Sequence, residues 1–247
     1  MTIPDGIAVL IFDVDQTLVD TGTAWRAALD AACTRLAAIT PGLAAADAAA
    51  AYRQVSDDLW SRYDTALAPL RTHHAMRLHA WQQALAACGI TLPPARAREQ
   101  AEFFAAAQLE HITPGPQLPG LLARARARYR VAACTNGDDA WTRAKLASAG
   151  LDRLMETVTC GITEKIRKPD PGLLLRCCAA LGVPPAPCLH AGDDWANDIT
   201  AAAAAGLHPA WITPSATAAA APPPAVTWHP SAAAFLTALL ASGKATS

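Results

Sequence analysis

The sequence has almost no net charge: 20 basic residues stand against 21 acidic ones, a formal −1. That balance gives no reason to bind nucleic acid or an anionic membrane, so no nucleic acid and no membrane is expected among its partners. No apolar run reaches the roughly 18 residues of Leu/Ile/Val character that a membrane helix requires. The alanines 201–205 read as a helix segment instead. Met1 to Asp5 contain neither a basic region nor an apolar signal core, so no secretory leader is expected. The seven cysteines (Cys33, Cys88, Cys134, Cys160, Cys177, Cys178 and Cys188) are scattered, odd in number and without a CxxC pair. Free thiols in a reducing, cytoplasmic setting are expected.

What is present suffices for a folded core. The chain has 247 residues, 52% of them hydrophobic, which is enough for one α/β domain and a smaller companion. Much of that fraction is alanine, which favours helix and buries little area per residue.

The first organised segment is the apolar run from Ile7 to Phe12. Such a run suits a strand buried on both faces. From about Thr21 to His111 the text becomes Ala/Leu/Arg-rich with helical spacing. It predicts four helices near 23–39, 44–61, 71–88 and 94–110, with breaks at Pro41-Gly42, Pro69 and Gly89 to Pro94. After Pro116 helices and strands alternate. Helices are predicted near 117–128, 138–149, 171–181 and 195–205. Strands are predicted at 129–134, 155–160, 187–191, 209–212 and 225–228. The expected fold is α/β: a doubly wound, parallel, Rossmann-like sheet (1–20 and 112–247) interrupted by an all-helical domain (21–111). Ala218 to Pro224 reads as a connector and Ser242 to Ser247 as a frayed tail.

Four polar segments fall beside predicted strand ends: Asp13-Val14-Asp15-Gln16-Thr17, Thr135-Asn136-Gly137, Lys168-Pro169, and Gly192-Asp193-Asp194 with Asn197-Asp198. Open α/β sheets place their sites at the carboxyl ends of the strands, so one cleft can collect all four. Asp13, at a strand tip, can act as a nucleophile. Asp15, two residues on, suits a general acid that later activates water. Asp193 adds a third carboxylate, and three such groups repel one another unless a cation sits among them. Oxygen ligands without a His/Cys set point to Mg2+. Lys168 supplies a fixed positive charge, while the Thr135 hydroxyl and the backbone at Asn136 and Gly137 offer donors to phosphate oxygens.

This order of motifs resembles the haloacid dehalogenase (HAD)-like hydrolase superfamily over nearly the whole chain. The helical insert is similar to the C1 cap of its subfamily I. The resemblance implies that Asp13 is the nucleophile, Asp15 the acid/base, Thr135 and Lys168 the phosphate-facing pair, and Asp193 a metal ligand. It further implies that the Asp15 backbone carbonyl binds Mg2+ and that Asp198 is the later acidic position, for which an orienting role is expected. Asp194 is either an outer ligand or a helix cap. One departure is Gln16, where relatives often carry Gly or Asn.

The expected activity is therefore a phosphatase that forms a phospho-aspartyl intermediate. Its partner would be a small phosphorylated metabolite such as a sugar phosphate or nucleotide, and the protein a monomer or homodimer. A 2-haloacid dehalogenase is the main alternative, opposed by Asp15 and Asp193. A phosphonate hydrolase would need a lysine in the insert, which has none. A phosphomutase and a non-catalytic module complete the alternatives, but no catalytic residue is missing. Lys165 competes with Lys168 and loses because Lys168 directly precedes Pro169. Several residues read more simply as structural: His73, His74 and His79 as surface or insert-interface groups, Trp25, Trp60 and Trp81 as insert core. Cys188 with His190 makes no zinc site. The Ser242-Gly243-Lys244 stretch lacks the rest of a phosphate loop. Trp25, Arg26, Arg71, His74 and Arg77 are candidates for substrate closure, with a solvated helix role the simpler reading.

Overall fold

The computed structural model describes residues 4–62, 70, 72–214 and 225–242. Strand β1 (Val9–Phe12) leads into four helices, α1 (Thr21–Ile39), α2 (Ala45–Ser61), α3 (His73–Ala87) and α4 (Pro94–Glu110). Then follow α5 (Leu118–Ala125), β2 (Arg130–Thr135), α6 (Asp139–Ser148), β3 (Val158–Cys160), the short α7 (Gly161–Glu164), α8 (Gly172–Leu181) and β4 (Cys188–Gly192). A π-helical turn (Trp195–Ile199), α9 (Thr200–Ala204), β5 (His208–Ile212), β6 (Thr227–His229) and α10 (Ala232–Ala241) complete the order. The chain divides into one unit of residues 1–20 with 113–247 and a second of residues 21–112.

The first unit holds a six-stranded sheet in the order β3-β2-β1-β4-β5-β6, with every pairing parallel. All four residues of β1 are fully buried, as expected of a central strand covered on both faces. Its register sets the site. Phe12 pairs with Ala133 on one side and Ala191 on the other, so Asp13, Cys134 and Gly192 lie at one level. The chain builds β2 and β3 on one side of β1 and returns to build β4 on the other. The switch in direction therefore falls between β1 and β4, where open sheets form their crevice. Below it Val9, Ile11, Leu173, Leu174 and a group of thiols (Cys134, Cys177, Cys178, Cys188) pack into one core.

Past β1 the backbone turns sharply. Val19 bridges in parallel to Asp15 and antiparallel to Pro114, so the departing and returning chains are clasped beside each other.

In the second unit each helix contributes one aromatic ring: Trp25, Tyr52, Trp81 and Phe104. Tyr52 lies 4.3 Å from Trp81 and 5.2 Å from Phe104, and Trp25 meets Phe104 edge-on at 6.3 Å. Buried Gln100 ties α4 to α1, donating to the Ala32 carbonyl at 2.9 Å and accepting from Arg35 at 3.0 Å. Thr72 caps α3 through its side chain, and Pro94 opens α4, where its missing N–H costs nothing.

Three expectations need correction. Trp60 is not insert core: it is 43% exposed and rests against His73. The last strand lies at Thr227–His229 rather than 225–228. The helix expected over 195–205 begins as a wide π turn, for a reason that lies in the site. An unforeseen helix, α10, follows Ser231, whose hydroxyl caps it, and its Phe235 packs edge-on against Phe12 at 6.0 Å. The break at Pro69, Arg71, the connector at 218–224 and the Gly243-Lys244 pair lie outside the described residues.

Candidate active site

Asp13 stands at the tip of β1, its N–H held by the Ala191 carbonyl at 2.8 Å. The loop that follows is tight. Gln16 donates its N–H to the Val19 carbonyl at 2.8 Å and takes φ = 60°. That left-handed conformation is easiest for Gly or Asn, the residues usual at this position, and Gln16 adopts it nonetheless. The turn aims the Thr17 hydroxyl at Asp193 Oδ1, 3.2 Å away.

Lys168 is 3% exposed and uses all three of its N–H donors. Nζ donates to Asp13 Oδ1 at 2.7 Å, to the Cys134 carbonyl at 2.9 Å and to Asp198 Oδ1. Its backbone is pinned from both sides by Asn136, which accepts from the Lys168 N–H at 2.8 Å and donates to its carbonyl at 2.9 Å. The Asn136 side chain is thus committed to placing Lys168. Lys165, the competing lysine, is exposed at the end of α7. Thr135 is buried at the end of β2, with its hydroxyl 3.5 Å from the Gly137 N–H.

Asp198 owes its place to the π turn. Asp194 caps that turn, accepting from the Asn197 backbone at 3.0 Å and side chain at 2.6 Å. The wider turn lets the Asp198 side chain reach back to the Asp194 N–H at 3.0 Å and forward to Lys168. Wide turns of this kind gather at functional sites. Gly192 is required beneath it, because a Cβ there would overlap the Asp198 carboxyl carbon. His190 bridges Asp198 (Nε2, 3.1 Å) and the Ile11 carbonyl (Nδ1, 3.2 Å). Cys188, two residues earlier, meets the Cys178 thiol at 3.7 Å. Trp211 donates to the Asp193 carbonyl at 2.9 Å and is met edge-on by Trp195.

One carboxylate oxygen each from Asp13, Asp193 and Asp198 lies within 4.8 Å of the others. Burial pushes Asp13 well above the usual carboxylate range despite the Lys168 charge beside it. Burial, with the Asp198 charge, lifts Asp193 to about 6. Asp198 is desolvated too, but the Lys168 ammonium and His190 outweigh this and hold it well below the usual range. Desolvation opposes the Lys168 charge, yet Asp13 and Asp198 raise its pKa above the ordinary lysine value. Burial keeps His190 below the ordinary histidine value, although Asp198 opposes the shift. With all three carboxylates ionised, the single ammonium would leave two negative charges. That deficit, met by oxygen donors only, fits a hard divalent cation such as Mg2+.

One residue was not foreseen. Lys145, on α6, points its ammonium at Asp15 Oδ1. The available signal was helical phase: Lys145 shares the buried face of α6 with Thr142 and Leu146.

A family model of haloacid dehalogenase-like hydrolases matches residues 7–206. The rat (Rattus norvegicus) N-acylneuraminate-9-phosphatase is 27% identical over 213 residues, 85% of this chain and 84% of that relative. A 2-haloacid dehalogenase from Pseudomonas syringae pv. tomato DC3000 superposes with a TM-score of 0.71 at 21% identity, covering 96% of this chain and all of that one. The Bacillus subtilis HAD-hydrolase YfnB, solved with magnesium bound, superposes at 0.65 with 19% identity over 85% of this chain and 91% of its own. With a sheet of this order and these four motifs converging on Asp13, the chain belongs to the haloacid dehalogenase-like hydrolases.

Proposed function

We propose that the protein is a Mg2+-dependent phosphomonoester hydrolase acting through a phospho-aspartyl intermediate on Asp13. The carrying observation is the buried contact of Lys168 with Asp13 inside a three-carboxylate group, with Asp15 two residues away. Asp13 Oδ attacks phosphorus as the ester P–O bond breaks. Asp15 gives its proton to the leaving oxygen. It then takes a proton from the water that hydrolyses the acyl phosphate, returning Asp13 as a carboxylate. Lys168 offsets charge on the transferring group, and Thr135 with the backbone of Asn136 and Gly137 donates to its equatorial oxygens. Asp13, Asp193 and the Asp15 carbonyl would hold Mg2+, oriented by Asp198. When bound, the cation neutralises the two-charge deficit and phosphate oxygens.

The second aspartate and the cation-deficient cluster speak for ester hydrolysis over dehalogenation. The similarity to a phosphatase over 85% of the chain supports the same reading. That relative's name makes phosphorylated sugar acids the first substrates to try, ahead of nucleotides.

The test is phosphate release from p-nitrophenyl phosphate and from a sugar-phosphate panel, with Mg2+ or with EDTA, beside Asp13→Asn. Mg2+-dependent release, with an acid-stable, hydroxylamine-labile phosphoryl label lost in the variant, supports the proposal. Release undiminished in Asp13→Asn, or chloride release from a 2-haloacid in EDTA, overturns it.

A further inference from the structure

The sequence has four lysines against sixteen arginines, yet two of the four end on carboxylates of this site. Lys168 serves Asp13 and has no donor left for Asp15, because its third N–H goes to the Cys134 carbonyl. Lys145 serves Asp15. Its side chain is 2% exposed, on a face of α6 it shares with Thr142 and Leu146. Burying an ammonium there carries a desolvation penalty, and an apolar side chain would pack the same face without it. A purely structural need therefore does not explain a lysine at this position.

The Asp15 carboxyl has the opposite difficulty. Its side chain is 39% exposed, on a loop turn, and an exposed carboxyl samples several rotamers. Proton transfer demands one of them, within hydrogen-bond reach of the leaving oxygen. A rigid cation fixed in a helix and bonded to Oδ1 fixes the plane of the group.

We infer that Lys145 is the positioning residue for Asp15, holding its carboxyl where it delivers a proton to the leaving oxygen. This rests on the acid/base role given to Asp15 above. Lys145 touches neither the nucleophile nor the transferred phosphoryl group in this scheme; it acts through Asp15.

The experiment compares kcat/KM for an aryl phosphate, whose leaving group needs little proton assistance, with that for an alkyl phosphate, whose leaving group needs it. The variants are Lys145→Met, Lys145→Arg and Asp15→Asn, with Lys145→Gln replacing the methionine variant should that fail to fold. Lys145→Met should lose about 10²-fold on the alkyl phosphate and less than about fivefold on the aryl phosphate, and Lys145→Arg should restore part of the alkyl activity. Asp15→Asn should show the same bias, more strongly. Equal losses on both substrates in Lys145→Met, or no loss on either, overturn the positioning role while leaving Asp15 as the acid. Absence of the bias in Asp15→Asn itself overturns the acid role and the inference with it.

Discussion

The Lys168 ammonium sits between Asp13, 2.7 Å away, and Asp198, joining the tip of β1 to the π turn after β4 through one buried cation. Replacing it with Met leaves two buried carboxylates without their partner. Lys168→Met should lower turnover by about 10³-fold or more and unfolding free energy by about 3–5 kcal/mol at neutral pH. Denaturant melts and steady-state kinetics measure both. A variant as stable as the parent would deny this contact its structural part.

On the proposed function, Asp193 would couple Mg2+ binding to pH. Its folded pKa, about 6, lies above the ordinary 3.8, so the folded protein takes up a proton that the unfolded chain does not. Stability without metal therefore falls as pH rises from about 4 to about 6. A cation displaces that proton. The rise in melting temperature produced by Mg2+ should be much larger at about pH 7.5 than at about pH 5. Equal shifts at both would contradict Asp193 as a ligand.

Gly192→Ala places a methyl group where the Asp198 carboxyl lies. Because Asp198 anchors Lys168, the damage should reach the nucleophile. Turnover should drop about 10²-fold, with a stability loss of about 2 kcal/mol in thermal melts. Wild-type turnover would show that the turn relaxes without moving Lys168.

Of the seven thiols six are buried and Cys88 is half-buried. Burial raises Cys33 and Cys160 to about 11, so little thiolate forms at neutral pH. Iodoacetamide should add once to the native protein, at Cys88, and seven times after denaturation, as read by mass spectrometry. Early modification of Cys178 or Cys188 would mean that the core around α8 opens readily.

The sheet was legible because its strands are apolar runs ending in turn residues, and the order of the acidic segments along the chain carried the site. What escaped was geometry that periodicity does not encode. A widened turn at Trp195 looks like any helix start, because the cause is the reach of Asp198 across Gly192 to Lys168. Asn136 reads as a turn former or a phosphate donor, and only the fold shows its amide spanning the Lys168 backbone. Lys145 was overlooked because a lysine is assumed to be solvated, although its helical phase with Thr142 and Leu146 argued otherwise. The helix α10 carried an N-cap serine and an Ala/Leu/Phe run, signals strong enough to have been read.

The clasp of Val19 with Pro114 has a topological consequence. Ninety-two residues, 21–112, leave and return through two points already hydrogen-bonded to each other. The conformational entropy of closing that excursion is met by the sheet-bearing unit itself, and it grows only slowly with the length enclosed. The junction behaves as a socket. Helices of other length or composition can be spliced between Asp20 and Thr113 with little change in the cost of loop closure. Such a cassette can thus be exchanged while β1 and its aspartates stay as they are.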